Sequence, residues 1–284
     1  MTTSQVLPLS PVLGARVEGP DLSQPLSPDD HTLLANALHR HGFIVLKNQS
    51  LTPAQMVAFA RQWGRPSPHV IDTFHHPEDA NILILSNVFK DGRATGLVDA
   101  GTYFHTDYSY LDDVARCTIL HAQDVPPAPN GTTFANQAKA YADLPPSMKQ
   151  KIEGLVVKHH YGNRDDLNQQ SRSAASVLNA EQAQRVNWVR HPLVKPHPFT
   201  GQPALYAVSG SSFGIEGMPD EEALDLLREL AAHATQEAYC YTNNYENGDV
   251  IVWDNALLLH SAPLIDLTRP RTLWRVTVLN PLGV

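Results

Sequence analysis

The sequence predicts a mainly β protein decorated with helices, of the β-sandwich or jelly-roll type. Two observations carry that expectation. Strongly punctuated helices come first and many short strand-like runs follow, with none of the strand–helix alternation that builds a parallel sheet. Turn signals rich in glycine, proline and asparagine separate those runs, and no repeat, low-complexity tract or linker divides the 284 residues. One domain over 1–284 is therefore expected, with a helical N-terminal part over roughly 1–80 and a β core with a helical insertion thereafter.

Each element has its own signal. Ser27-Pro28-Asp29-Asp30 opens the first helix with a cap, a first-turn proline and early acids, and His41-Gly42 closes it. Phe43 to Leu46 reads as a short buried strand. Thr52-Pro53 opens a second helix that ends at Trp63-Gly64. Ile82-Leu83-Ile84-Leu85 is a further apolar run, followed by a glycine-containing loop that reaches Gly101. Strands are expected over 103–110 and 116–123. Pro126 to Gly131 is a rigid turn into Thr132-Thr133-Phe134, with short helices expected over 146–152 and 180–188. Met218-Pro219-Asp220 begins an amphipathic helix with Ala223, Leu226, Leu227, Leu230 and Ala231 on its apolar face. Asn247-Gly248 is a turn before the strand ending at Trp253, and Arg271 to Leu279 is the last strand.

Composition removes several function classes. Net charge is −8 with both signs interspersed and no basic block or basic–aromatic stripe, which argues against nucleic acid as a partner. A small anion in a local basic pocket stays open. The two cysteines, Cys117 and Cys240, lie far apart, forming neither a disulfide framework nor a zinc-knuckle spacing. A chain this long buries most of its apolar surface unaided, so a metal is expected to serve chemistry rather than folding. The first residues lack a charged, then apolar, leader pattern, and no run approaches the ~20 apolar residues that span a bilayer. A cytoplasmic protein with no membrane contact is the expectation.

His105-Thr106-Asp107 is the first constellation with chemical content. On a strand, residues two apart face one side, so an imidazole and a carboxylate converge. A second histidine would complete two histidines and one carboxylate, the facial set of non-haem iron oxygenases that leaves positions open. In a chain with 14 histidines a lone His-x-Asp is weak. The C-terminal half strengthens it: Trp253-Asp254-Asn255 is followed by His260, then Arg271 and Arg275. On the last strand Arg271, Leu273, Arg275 and Thr277 share a face. Two arginines on one face of an apolar strand are costly to bury unless they meet anions, for which the guanidinium fork is suited. The alternative is an edge strand whose arginines point to water.

With those residues in view, the sequence resembles the taurine dioxygenase family of iron(II)- and 2-oxoglutarate-dependent oxygenases, which includes the 2,4-dichlorophenoxyacetate and alkylsulfatase dioxygenases. The family's His-(Thr/Ser)-Asp is His105-Thr106-Asp107. Its distal element is Trp253-Asp254-Asn255 with His260, and its two arginines are Arg271 and Arg275. Gly131-Thr132-Thr133, His191-Pro192-Leu193 through Thr200-Gly201, and Asn247-Gly248-Asp249 also match, so the likeness runs from Gly42 to the final strand.

The resemblance implies a double-stranded β-helix (a cupin-like jelly roll), with His105, Asp107 and His260 as iron(II) ligands. It implies Arg271 as the partner of the distal carboxylate of 2-oxoglutarate, with Thr133 as a hydrogen-bonding helper and Thr132 as the alternative hydroxyl. Arg275 matches a position that meets the co-substrate's other carboxylate or an anionic primary substrate. The implied reaction consumes 2-oxoglutarate and O2, releases succinate and CO2, and hydroxylates a C–H bond of a small sulfonate, sulfate ester or carboxylate. The presence of Asp107 favours hydroxylation over halogenation. A homodimer or homotetramer is implied as well.

By analogy, loops near His69 to His76 and Gly92 to Tyr103 cover the metal. Tyr103 and Ser109 have the ligands' strand parity and are expected toward the substrate, whereas Tyr108 and Tyr110 are expected to pack away. His69, Tyr103 and Arg275 are the candidate substrate contacts, with His75 and His76 as further possible donors. Two other readings compete: a metal-dependent hydrolase or isomerase on the same fold, and a non-catalytic sensor of a small acid. The paired arginines disfavour the first, and the lack of a DNA-binding extension disfavours the second.

Overall fold

A computed structural model describes residues 4–98, 100–162 and 178–281 of the chain. Its major sheet has nine strands. They run in the order Gln5–Pro8, Ala15–Glu18, Phe43–Leu46, Val250–Asp254, Ala115–Asp124, Thr272–Leu279, Asp79–Ser86 and His75–His76, with Arg65–Ser67 also pairing to Thr272–Leu279. All pairings are antiparallel except Ala15–Glu18 with Phe43–Leu46. A minor sheet places Thr132–Asn136 between Cys240–Asn243 and Leu258–Ser261. The two sheets face each other as a jelly roll, as the element order predicts.

The central strands are buried on both faces, and alternation along each strand sorts its side chains between two cores. Ile44, Ile119, Val252, Val276 and Val278 point outward onto Leu34, Leu38, Met56, Phe59 and Trp63 of the N-terminal helical layer. Val45, Leu120, Ile251, Trp253 and Leu273 point inward, toward Phe134 and Leu258 of the minor sheet. Arg275 lies on that inward face, and His260 lies on the facing minor sheet. Helix Asp220–Ala234 covers the outside of the minor sheet, setting Ala223, Leu226, Leu227 and Leu230 against Ala135 and Leu259.

Both N-terminal helices form where their punctuation lies. Helix Pro28–His41 is capped by the Ser27 hydroxyl, which accepts from Asp30 N at 3.1 Å, and Gly42 beyond its end adopts φ 75°. Helix Pro53–Arg61 starts with a capping box between Thr52 and Gln55. The helix expected over 180–188 is only Ala180–Ala183. No described helix is long and apolar enough to cross a membrane.

The strand expected over 103–110 does not form. His105 makes one isolated bridge to His260, and the chain then turns through Tyr108 at φ 56°. The local residues suit a strand, but only one position finds a pairing partner, so the ladder stops there.

Ser27→Ala should lower stability by about 1 kcal/mol, the usual worth of an N-cap, in a urea melt, and leave metal binding unchanged.

Candidate active site

His105 and His260 face each other across that bridge. His105 N donates to His260 O at 3.0 Å and His260 N to His105 O at 2.9 Å, which sets the rings 4.2 Å apart between centroids. Asp107, two residues along, points to the same place: its Oδ1 lies 3.5 Å from His105 Nε2 and 3.6 Å from His260 Nε2. His260 itself is fixed from behind by Phe134, opposite it on the neighbouring strand, and by the Trp253 ring at 4.7 Å. The three residues singled out in the sequence thus converge on one point.

The donor set fits a divalent metal. His105 Nδ1 lies 2.8 Å from Tyr103 O, a backbone acceptor, so Nδ1 carries a proton and Nε2 is the nitrogen turned toward the carboxylate and open to a metal. Burial, His105 and Arg275 together keep His260 uncharged, well below the ordinary histidine range, against the pull of Asp107. Burial alone would raise the Asp107 carboxyl, but Arg275, then His260 and His105, hold it well below the usual carboxylate range. Neutral imidazoles and a carboxylate oxygen are the ligand forms a metal requires. Atoms each ~2.1 Å from one ion can lie about 3–4 Å apart, as Asp107 Oδ1 does from each nitrogen.

A second cluster, His39, His197 and Asp254, has the right residue types but the wrong proton. His197 Nδ1 accepts from Thr200 N at 3.1 Å, so its proton is on Nε2, which donates to Asp254 Oδ2 at 2.8 Å. With no lone pair turned to the carboxylate, that cluster is a buried structural pair rather than a metal site.

Arg275 reaches Asp107 Oδ1 with Nη2 at 2.6 Å. Arg271 lies on the same strand face at the far end of an adjoining cavity, its Nη2 donating to Asn130 O at 3.3 Å and its guanidinium 5.9 Å from the Tyr245 ring. Strand parity therefore places both arginines inside, as expected. Thr133 is not with them: it pairs with Ser261, and its hydroxyl lies 2.7 Å from that of Thr242 on the outer face. Thr132 is the hydroxyl that lines the Arg271 cavity, bonded at 2.5 Å to the Tyr245 hydroxyl. The signal was in the sequence: Phe134 must point inward, so Thr132 does as well and Thr133 points out.

The cavity on the other side of the metal position is lined by His69, Tyr103, Tyr108, Tyr110, Tyr161 and Arg275. His69 and Tyr103 lie where they were expected. Tyr108 and Tyr110 were expected to pack away, yet both line the cavity, while Ser109 sits behind it, 2.5 Å from the Ser211 hydroxyl. The turn at Tyr108 breaks the two-residue alternation on which that expectation rested. His75 and His76 lie outside the cavity lining: His75 Nε2 bonds His69 O, and His76 packs edge-on against Trp274. His69 Nδ1 accepts from Ile71 N at 3.1 Å, so Nε2 carries its proton. Burial and Arg275 push its pKa down to about 3, leaving a neutral donor.

Four residues at the site had no role assigned from the sequence, although Asn255 was matched as part of the Trp253-Asp254-Asn255 element. Thr118 and Asn255 hold Asp107, through bonds of 2.6 Å to its Oδ2 and 3.3 Å from its backbone N. Gly101 and Gly210 back His105: a Cβ would lie 2.5 Å from His105 Cε1 or 2.8 Å from His105 Cβ, and both glycines have positive φ. None of these residue types announces itself outside its tertiary setting.

The chain matches the family described as taurine catabolism dioxygenase TauD, TfdA family, over residues 5–277. It is 32% identical over 288 residues to an α-ketoglutarate-dependent 2,4-dichlorophenoxyacetate dioxygenase of Cupriavidus pinatubonensis, covering 96% of each chain. It is 28% identical to an (S)-phenoxypropionate/α-ketoglutarate dioxygenase of Sphingobium herbicidovorans, covering 95% of this chain and 92% of the relative. Among solved structures, a taurine dioxygenase from Burkholderia xenovorans superposes with a TM-score of 0.80 at 29% identity, covering 98% of this chain and 92% of that one. AAD-2 in complex with Mn(II) and N-oxalylglycine gives a TM-score of 0.80 at 26% identity, covering 98% of both.

Gly101→Ala should push the His105 ring off its position and weaken Mn(II) binding by about 10–100-fold, the range seen when a ligand's support is disturbed. Paramagnetic titration of free Mn(II) reads this directly; an unchanged affinity would show that His105 is held elsewhere.

Proposed function

The chain belongs to the TauD/TfdA family of taurine catabolism dioxygenases, and from that membership we propose that it hydroxylates a small anionic substrate bearing a flat ring, at a site built from His105, Asp107 and His260. The protein is an iron(II)- and 2-oxoglutarate-dependent dioxygenase. The observation that carries the site assignment is the convergence of two imidazoles and one carboxylate on a single point. Iron(II) bound there supplies the coupling of O2 reduction and 2-oxoglutarate decarboxylation, to succinate and CO2, with oxidation of a substrate C–H bond.

The protein's own residues bind, orient and shield. Arg271 and the Thr132 hydroxyl, at the inner end of one cavity, would hold the distal carboxylate of 2-oxoglutarate through charge-assisted bonds. Leu85, Leu120 and Leu273 wall that cavity and keep water from the chain between its carboxylates. In the other cavity, Tyr103, Tyr108, Tyr110 and Tyr161 offer aromatic faces, and the Tyr110 hydroxyl has no hydrogen-bond partner among the described residues. His69 Nε2–H and Arg275 supply the polar end for an anion. A ring-bearing acid accounts for both halves of that lining. The relatives named for 2,4-dichlorophenoxyacetate and (S)-phenoxypropionate support the same class.

Anaerobic addition of iron(II) and 2-oxoglutarate to the apo-protein should produce a weak visible charge-transfer band that needs both. Arg271→Ala should weaken 2-oxoglutarate binding by about 2–5 kcal/mol, the usual loss on truncating a buried charged pair, and leave Mn(II) affinity near wild type. Aryloxyalkanoic acids should stimulate succinate release more than taurine does. Stimulation by taurine alone would remove the ring from the proposal while leaving the reaction class in place.

A further inference from the structure

We infer that Thr118 and Asn255 are positioning residues that commit one oxygen of Asp107 and so make it a one-oxygen metal ligand. The inference rests on the reading of His105, Asp107 and His260 as the ligand set. Its starting point is a chain of bonds with a single possible direction. Asn255 Oδ1 receives Asp107 N at 3.3 Å and Trp253 Nε1 at 3.2 Å. A backbone N–H and an indole N–H can only donate, so the atom they meet must be the carbonyl oxygen. The other end of the side chain is then the amide nitrogen, which lies 3.0 Å from Thr118 Oγ1 and donates to it. Thr118's single hydroxyl proton is left free to go to Asp107 Oδ2, 2.6 Å away. No hydrogen position has to be assumed to reach this order.

The relay cannot easily rearrange. Asp107, Thr118, Trp253 and Asn255 are 3%, 0%, 2% and 1% exposed. Thr118 sits at the centre of the major sheet, paired with Trp253 on one side and Thr277 on the other. A turn of the Asp107 carboxylate that brought both oxygens toward the histidines would strip a buried hydroxyl of its acceptor, an uncompensated loss in this setting. With Oδ2 held by Thr118, Oδ1 is the oxygen that faces both His105 and His260, where it also meets Arg275 Nη2 at 2.6 Å. Were both oxygens to bind, the carboxylate would fill a coordination position that 2-oxoglutarate or O2 must use. Trp253 links the relay to the opposite ligand, since the indole whose N–H orients Asn255 also packs on His260.

Two measurements test this with Mn(II) as the probe. In the wild-type protein, difference infrared spectroscopy on Mn(II) addition should show the wide separation of carboxylate stretches that marks one-oxygen ligation; a narrow separation overturns the inference. Thr118→Val keeps the side-chain shape but removes the hydroxyl. It should weaken Mn(II) binding by about 10–100-fold and narrow the infrared separation, whereas Thr118→Ser should restore both. Wild-type affinity and an unchanged spectrum in Thr118→Val overturn the role of the hydroxyl. Equal losses in the valine and serine variants overturn it too, by pointing to packing of the threonine methyl. Failure of the wild-type protein to bind Mn(II) removes the ligand set itself, an outcome distinct from tight binding through two oxygens.

Discussion

A carboxylate almost wholly removed from water is the constraint around which the rest is arranged. Asp107 is 3% exposed, and an ionised carboxylate in that position is prohibitive unless it is surrounded by donors and cations. The fold meets this with Arg275 on Oδ1 and the Thr118 hydroxyl on Oδ2, beside two imidazoles at 3.5 and 3.6 Å. Those partners come from four separate stretches of chain, so satisfying one side chain fixes the relative placement of the strands Ala115–Asp124, Leu258–Ser261 and Thr272–Leu279. The same crowding that keeps Asp107 ionised keeps His260 neutral. A cation bound between them would meet ligands already in the protonation states it needs.

The two facing sheets divide the labour. The major sheet contributes the arginines and the support of the carboxylate, all on its inward face, while its outward face is an apolar seat for the N-terminal helices. The minor sheet contributes His260 and Thr132. Because Arg271, just before strand Thr272–Leu279, and Arg275 within it are four residues apart, they share a face but lie at different depths. One ends in the cavity with Thr132 and the other lies beside the metal position, between the two cavities. On the proposed reading, this spacing would set the distance between the far end of the dicarboxylate and the metal position.

Much of this was legible in the residues. Helix starts at Ser27 and Thr52 follow from local chemistry, a side-chain oxygen three residues from an orphan N–H, and local chemistry survives into the fold. The inward set Arg271, Leu273 and Arg275 follows from strand parity, which also distinguishes Thr132 from Thr133 once Phe134 is recognised as core. Parity failed at Tyr108 and Tyr110 because it presumes a strand, and the segment after His105 is a turn with φ 56° at Tyr108. Thr118 lies unmarked in the apolar run Cys117-Thr118-Ile119-Leu120, where nothing distinguishes a hydroxyl with a partner from one without.

The sequence by itself determined the ligand types, their spacing, the reaction class they resemble and the face on which the arginines lie, because those depend on residue chemistry and on the two-residue period of a strand. Only the tertiary structure decided which hydroxyl joins Arg271, which tyrosines line the cavity beside the triad, and why the cluster His105, Asp107 and His260 suits a metal while His39, His197 and Asp254 do not. The physical reason is that these outcomes turn on single hydrogen bonds between distant segments. Tyr103 O places a proton on one nitrogen of His105, and Thr200 N–H forces it to the other in His197. Spacing along a chain carries no information about where such a partner will arrive.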